Sequence, residues 1–150
     1  SQRIELLVKA GDEGLMDGYF SAGKLEEEFN GGKKAYSLFL KAAHGHVLSA
    51  YDHCAAIAIK EDRLDDAIEL YTEKGNQGDP RGYCQAGELI KQDRPLEAYG
   101  LFSKDILFGY QYILTLSQSE RDKQNCKQEF VRKSANQFRD LVSIAGFHYE

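Results

Sequence analysis

The sequence has no tryptophan, one methionine, two prolines and three cysteines in 150 residues. Two prolines and no isolated stretch of alternating apolar residues argue against an all-β fold, whose turns and edges use proline freely. An odd number of widely spaced cysteines, Cys54, Cys84 and Cys126, is not a disulfide framework. Such thiols act as small apolar residues, although one Cys54–Cys84 bridge is compatible with an exported chain. No run of about 18 apolar residues exists, so no membrane insertion is expected. Acidic side chains outnumber basic ones, 24 to 19. The net charge of −5 argues against a nucleic-acid partner, which selects a basic surface.

Chemical motifs are thin as well. Gly31-Gly32-Lys33 lacks the first glycine and the hydroxyl residue of a phosphate-binding loop. His44, His46, His53 and Cys54 are the nearest approach to a metal set. The i, i+2 spacing of His44 and His46 shares no helix face, and zinc needs three or four ligands in fixed geometry. A Cys–His nucleophile pair lacks a third, orienting group. These readings give no catalytic residue, no metal and no cofactor, and a chain that is not an enzyme.

What is present is a repeat. Ala35-Tyr36-Ser37-Leu38-Phe39-Leu40-Lys41-Ala42 returns as Ala67-Ile68-Glu69-Leu70-Tyr71-Thr72-Glu73-Lys74 and again as Ala98–Asp105, with the alanines 32 and then 31 residues apart. A fixed period in the 20–50 range marks a repeat architecture. A second set of positions keeps the same step: Gly18-Tyr19, Ala50-Tyr51 and Gly82-Tyr83, each followed four residues after the small residue by Ala22-Gly23, Cys54-Ala55 and Ala86-Gly87. Small residues at i, i+4 and i+5 share one helix face and let a second helix approach closely. The tyrosine supplies buried area and a hydroxyl that still reaches a partner. Abundant Leu, Ala, Glu, Lys and Gln favour helix.

Each unit therefore reads as two helices. First helices are expected over 15–29, 48–61 and 80–92, and second helices over 33–44, 63–75 and 94–107. Asn30-Gly31-Gly32 suits a helix C-terminus. Asp62 and Asp93 are N-cap candidates, Pro95 fits a first turn, and Asp79-Pro80 is an N-cap followed by proline at N1. Gly14, Gly45 and Gly78 break the chain between units. Arg3–Ala10 matches the second-helix pattern, with Leu6 under Leu38 and Lys9 under Lys41. The chain is thus expected to open on the second helix of a repeat whose first helix is missing, as in a fragment or a processed chain. Beyond 108 the pattern decays. Tyr110–Leu116 fits a fourth first helix, and Ser117-Gln118-Ser119-Glu120 offers a capping box for a long helix. That helix has Phe130, Ser134, Phe138, Leu141 and Ala145 on one face, with Arg121, Lys123, Lys127, Arg132, Lys133 and Arg139 supplying charge. Residues 119–150 carry six basic and five acidic side chains, a net +1 against −6 for 1–118. This suits a terminal capping helix with one polar face; a sharper reading makes its basic face a binding surface.

The spacing of small residues and tyrosines resembles the tetratricopeptide class of helix pairs. Lys41-Ala42-Ala43-His44-Gly45 through Ala50 resembles the junction of Sel1-like repeats, with Lys-Ala-Ala, a glycine, then alanine nine residues after the lysine. Lys9–Gly18 repeats that spacing, and Lys74–Gly82 is one residue shorter. Gly23 to Ala35 and Ala55 to Ala67 are each 12 residues apart, a short, tetratricopeptide-like connection. The resemblance covers residues 3–118. It implies an α-solenoid of antiparallel helix pairs, a right-handed superhelix with its concave face lined by first helices. The domain organisation is then a half repeat at 1–11, full repeats at about 14–45, 46–78 and 79–108, and a C-terminal capping helix at 119–150. It further implies a non-enzymatic adaptor, chaperone, assembly or inhibitor (immunity-type) role, frequent in bacterial envelopes and secretion systems, cytoplasmic or periplasmic.

With Tyr19, Tyr51 and Tyr83 as the buried reference, the residues expected to point away from the second helix and to bind a protein or peptide are Asp17, Phe20, Lys24 and Glu27 in the first unit. They are Ser49, Asp52, Ala56 and Ile59 in the second, and Arg81, Cys84, Glu88 and Lys91 in the third. Phe20 and Ile59 are apolar where a solvated face is polar, which suits either ligand anchors or packing under a neighbouring helix. Glu26-Glu27-Glu28 reads as a solvated helix end. Alternative functions are a regulatory repeat segment of a larger enzyme and self-association through the open N-terminal helix.

Overall fold

The computed structural model describes residues 1–116 and 119–144, with the backbone alone at 108–116, 122, 126–127, 130, 138 and 141–144. Among the described residues there are eight helices and no strand. The chain forms two compact units, Ser1–Gln77 and Gly78–Glu150. The first holds α1 (Gln2–Asp12), α2 (Met16–Asn30), α3 (Gly32–His44), α4 (Ser49–Lys60) and α5 (Leu64–Asn76), and the second holds α6 (Arg81–Ile90), α7 (Pro95–Leu116) and α8 (Glu120–Ile144). Within each unit every helix packs on the next in sequence.

The turns repeat with the sequence. At the end of α1 the Leu15 N–H donates to the Ala10 carbonyl at 3.0 Å and the Gly14 N–H to Gly11 at 3.0 Å. At the end of α3 the Val47 N–H donates to Ala42 at 3.0 Å and the His46 N–H to Ala43 at 3.1 Å. At the end of α4 Arg63 donates to Ala58 at 2.8 Å and Asp62 to Ile59 at 3.1 Å. Each is a Schellman closure, which needs a left-handed residue at C′. Those residues are Gly14 (φ 105°), His46 (φ 71°) and Asp62 (φ 63°).

Two expectations change here. Gly45 is not the left-handed residue between units: it stays at φ −87°. The 32-residue register places His46 where Gly14 and Gly78 (φ 124°) stand, so the register, not the nearest glycine, decides where the chain turns. Asp62 does not cap α5, because it is already used as the left-handed end of α4. Arg63 takes the N-cap place, and its guanidinium meets Asp66 in the first turn at 3.1 Å. Arg94 precedes Pro95 in the same way and reaches Glu97 at 3.4 Å, so Asp93 is not the cap either. Asp79 Oδ1 accepts from the Arg81 N–H at 3.2 Å, but α6 begins at Arg81, so Pro80 and not Asp79 takes the N-cap place.

The third second helix also differs from expectation. α7 continues through 108–110 to Leu116. No proline lies between Lys104 and Tyr110 to stop it, and the single glycine there, at 109, costs only about 1 kcal/mol in a helix. The region 110–116 is therefore the end of α7. α8 begins at Glu120, with the Ser119 carbonyl accepting from the Lys123 N–H at 3.1 Å. Ser117, Gln118 and Ala145 lie outside the described residues, as do the side chains of Cys126, Lys127, Phe130, Phe138 and Leu141.

Small residues set the helix spacing. A methyl on Gly18 would lie 2.5 Å from the Leu7 carbonyl oxygen, and one on Gly11 would lie 2.6 Å from the Tyr19 ring. A methyl on Gly23 would lie 2.8 Å from the Phe39 ring, and one on Gly87 would lie 2.7 Å from Phe102. Tyr19 thus seats on α1, while Gly23 and Gly87 each seat the phenylalanine of the helix that follows. Ala22, Ala35, Phe39, Ala42, Ala43, Ala50, Tyr51, Cys54, Ala55, Ala58 and Ala67 complete this interior in the first unit, all without exposed surface. Gly82, Tyr83, Ala86, Ile90, Ala98, Phe102 and Ile106 are buried in the second.

Cys54 and Cys84 are free thiols, so the bridge considered from sequence is not formed. Cys54 is sealed in the core, its Sγ donating to the Tyr36 carbonyl at 3.7 Å. Burial pushes its thiol up to about 12, and burial followed by the Glu73 carboxylate pushes the Tyr51 phenol up to about 12.

Both groups are protonated in the native state at pH values where the unfolded chain has lost those protons. Their contribution to stability is complete below about pH 9 and is lost as pH rises toward 12, by up to about 1.4 kcal/mol per pH unit for each group. Urea titrations from pH 8 upward will show that decline, which Cys54→Ala makes shallower. His46→Gly relieves a left-handed non-glycine residue at an exposed turn. It should raise stability by about 0.5–1 kcal/mol with an unchanged urea m-value.

Candidate functional site

The twelve positions singled out on the first helices separate into two classes. Asp17, Lys24 and Glu27 on α2, Ser49, Ala56 and Ile59 on α4, and Arg81 and Glu88 on α6, are exposed. The column directly after each tyrosine behaves differently. Phe20, Asp52 and Cys84 are half-buried, as is Lys91 at the end of α6, and, contrary to expectation, Phe20 and Asp52 lean toward their own second helices.

Phe20 shows this first. Its ring centroid is 5.8 Å from Phe39 on α3 and 5.3 Å from His53 on α4, and His53 stacks on Phe39 at 4.6 Å. The three rings form one cluster that brings α2 and α4 side by side. Lys24 covers the outer side of this cluster, with its Nζ 4.9 Å from the Phe20 centroid. Phe20 is therefore largely a packing residue. Ile59, still 41% exposed, is the apolar side chain of this face that remains open.

Asp52 takes the place of Phe20 one unit later. Both its carboxylate oxygens accept from the Lys74 ammonium, at 3.0 and 3.2 Å. Lys74 is 3% exposed and occupies the place of Ala42, itself fully buried. A buried ammonium is costly to desolvate and survives only with a partner. Nearby, Gln77 Nε2 donates to the Tyr51 hydroxyl at 2.5 Å. Lys74 is not singled out from sequence, and His53 is considered there only as a metal ligand. A signal for Lys74 existed: a charge of each sign replaces an apolar residue at two positions that face each other, Phe20/Ala42 becoming Asp52/Lys74.

In the second unit, Cys84 and Asp105 hold the corresponding positions of the repeat. Burial raises the Cys84 thiol, with the Asp105 and Glu88 carboxylates adding to it against Lys133 and Lys91. Burial also raises the Asp105 carboxyl, opposed mainly by Lys133. Lys91 pairs with Glu88 at 2.8 Å; that hydrogen bond leads the rise in its pKa, and Asp140 contributes. Lys133 and Asp140 of α8 thus lie within electrostatic reach of the α6 face. Arg81 pairs with Asp79 at 2.7 Å. With their thiols protonated, Cys54 and Cys84 are poor nucleophiles.

Among the described residues no three His, Cys, Asp or Glu side chains are grouped to hold a metal ion. No helix among them is long and apolar enough to cross a membrane. An open groove of about 920 Å³ runs between α1, the start of α2 and the α3–α4 turn, lined by Leu7, Leu15, Met16, Asp17, His46 and Val47 among others. Asp17 is the one member of the predicted face that also lines it. No protein-family model matches the chain, and neither curated proteins nor solved structures give a match to it.

The Asp52–Lys74 pair gives an ordered prediction. Asp52→Asn removes the carboxylate charge from a buried ammonium and should cost about 2 kcal/mol, whereas Lys74→Met, which leaves a part-exposed aspartate, should cost less. Equal costs in urea unfolding would show that Lys74 is not held by Asp52.

Proposed function

We propose that the chain is a non-enzymatic protein-interaction module, built as a solenoid of antiparallel helix pairs with a right-handed superhelical sense, that holds a partner protein or peptide on the faces of its first helices. The observation that supports this reading most is the contrast between columns. Positions that recur in every unit are buried and small or aromatic. Apart from the part-buried column after the tyrosine, the predicted face positions that differ between α2 and α4 are exposed: aspartate, lysine and glutamate on one, serine, alanine and isoleucine on the other. A repeat scaffold presents specificity at the positions its packing leaves free. The resemblance to Sel1-like and tetratricopeptide-like repeats supports the same assignment, with an adaptor, assembly or inhibitor role as the narrower version.

The polar fraction of the face favours a ligand recognised by mixed hydrogen bonds around one apolar anchor at Ile59. The charges mix signs, so a purely acidic or purely basic ligand is not selected.

A photo-crosslinking residue placed at Lys24 or at Ala56 should capture the same protein from native extract. The same probe at Lys34, on α3, should not capture it. Lys24→Glu with Ile59→Asp should then weaken binding of that captured protein by at least about tenfold. Capture from Lys34 alone, or full binding by the double variant, would contradict the assignment.

A further inference from the structure

α7 has two faces of opposite kind. Ala98, Phe102 and Ile106 are buried within the second unit. On the other side Leu96, Gly100, Ser103 and Leu107 follow one another at intervals of four, three and four residues, the 3.5-residue period of a helix-pairing seam. This seam is open. Leu96 is 87% exposed and Leu107 46% exposed. Ser103 is exposed, and a methyl built on Gly100 meets nothing within 4 Å.

The corresponding positions elsewhere are mostly polar. They are Lys33, Ser37, Leu40 and His44 on α3, and Asp65, Glu69, Thr72 and Asn76 on α5. The apolar seam belongs to the third copy alone, so it is not something the repeat needs for its own packing.

The seam also reads the same in both directions: leucine, small, small, leucine. A second α7 laid across it in the opposite sense sets Leu96 against the partner's Leu107, and Gly100 against the partner's Ser103. The two small residues let the backbones approach, and the leucines close both ends. Glu97 and Lys104 lie on one flank of the seam, one heptad apart and both exposed. In an antiparallel two-fold pair a flank meets its own copy, so each Glu97 faces the partner's Lys104. Shape and charge are thus self-complementary.

We propose that the chain associates with a second copy of itself through an antiparallel, two-fold pairing of the outer face of α7, from Leu96 to Leu107. This is independent of the first-helix binding face. The seam spans about 16 Å of helix, less than a standard interface offers, so the dimer dissociates in the range of about 10 μM to 1 mM.

Sedimentation equilibrium of the full chain, taken to about 1 mM, tests this. A reversible dimer is expected. Leu96→Lys should abolish it while leaving thermal unfolding of the dilute chain unchanged, since Leu96 contributes little to the monomer core. Glu97→Lys should weaken it at least about fivefold, and Glu97→Lys with Lys104→Glu should restore it to within about twofold. A chain that stays monomeric at that concentration overturns the proposal. So does a dimer that Leu96→Lys leaves intact, or a double charge swap that fails to restore association.

Discussion

The close approach of neighbouring helices is the constraint on which the first unit depends. Gly18 lies so near α1 that the Leu7 carbonyl oxygen occupies the space of a methyl. Gly23 is covered by the Phe39 ring, and Gly11 by the Tyr19 ring. Each contact excludes a Cβ, so small residues at these positions bring two helices close enough for the large side chains beside them to be fully covered. Most of the helical stability comes from this burial and not from local propensity. The same relation recurs in the second unit, where Phe102 covers Gly87.

The copies are not identical, and the differences follow pairwise rules. Glycine at 23 and 87 seats a buried phenylalanine at 39 and 102. Alanine at 55 takes the glycine position, and the matching ring is Tyr71, only half-buried. A second pair of columns shows chemical variety at one location. Phe20 faces a second helix with alanine at 42, Asp52 faces Lys74 through two hydrogen bonds, and Cys84 lies within electrostatic reach of Asp105 and Lys133. The location is part-buried in every copy, so a polar residue there must bring a partner. This couples the column to packing, whereas positions 17, 24, 27, 49, 56 and 59 stay exposed.

Much of this was legible in the sequence because the packing rule is written in residue size at a fixed step. The 32-residue register located the three first helices and the second helices at 33–44 and 63–75 to within about two residues of the observed ends. It failed where a local cue was read in place of the register. Gly45 drew attention as the break, whereas His46 is the residue in step with Gly14 and adopts the left-handed conformation. Asp62 was read as an N-cap, but the same residue was already committed to ending α4. α7 ran on past 107 because nothing in Ile106–Tyr110 competes with helix strongly enough to stop it. The orientation of the column after the tyrosine was misjudged because a helical wheel gives direction from one axis only. The half-burial of Phe20 and Asp52 depends on where α3, α4 and α5 lie around it. Lys74 was overlooked for a related reason: a lysine reads as surface unless its facing position is read with it.

The central claim is that small residues at fixed positions set the helix spacing, and the sign of one stability change tests it most directly. Gly18→Ala should be measured by urea unfolding of the full chain. A glycine within an uncrowded helix gains about 0.5–1 kcal/mol on replacement by alanine. At Gly18 the added methyl would lie 2.5 Å from the Leu7 carbonyl oxygen and 2.9 Å from the Gly11 nitrogen, backbone atoms that cannot swing aside. The account predicts a loss of about 2–3 kcal/mol. A gain in stability on Gly18→Ala would contradict it.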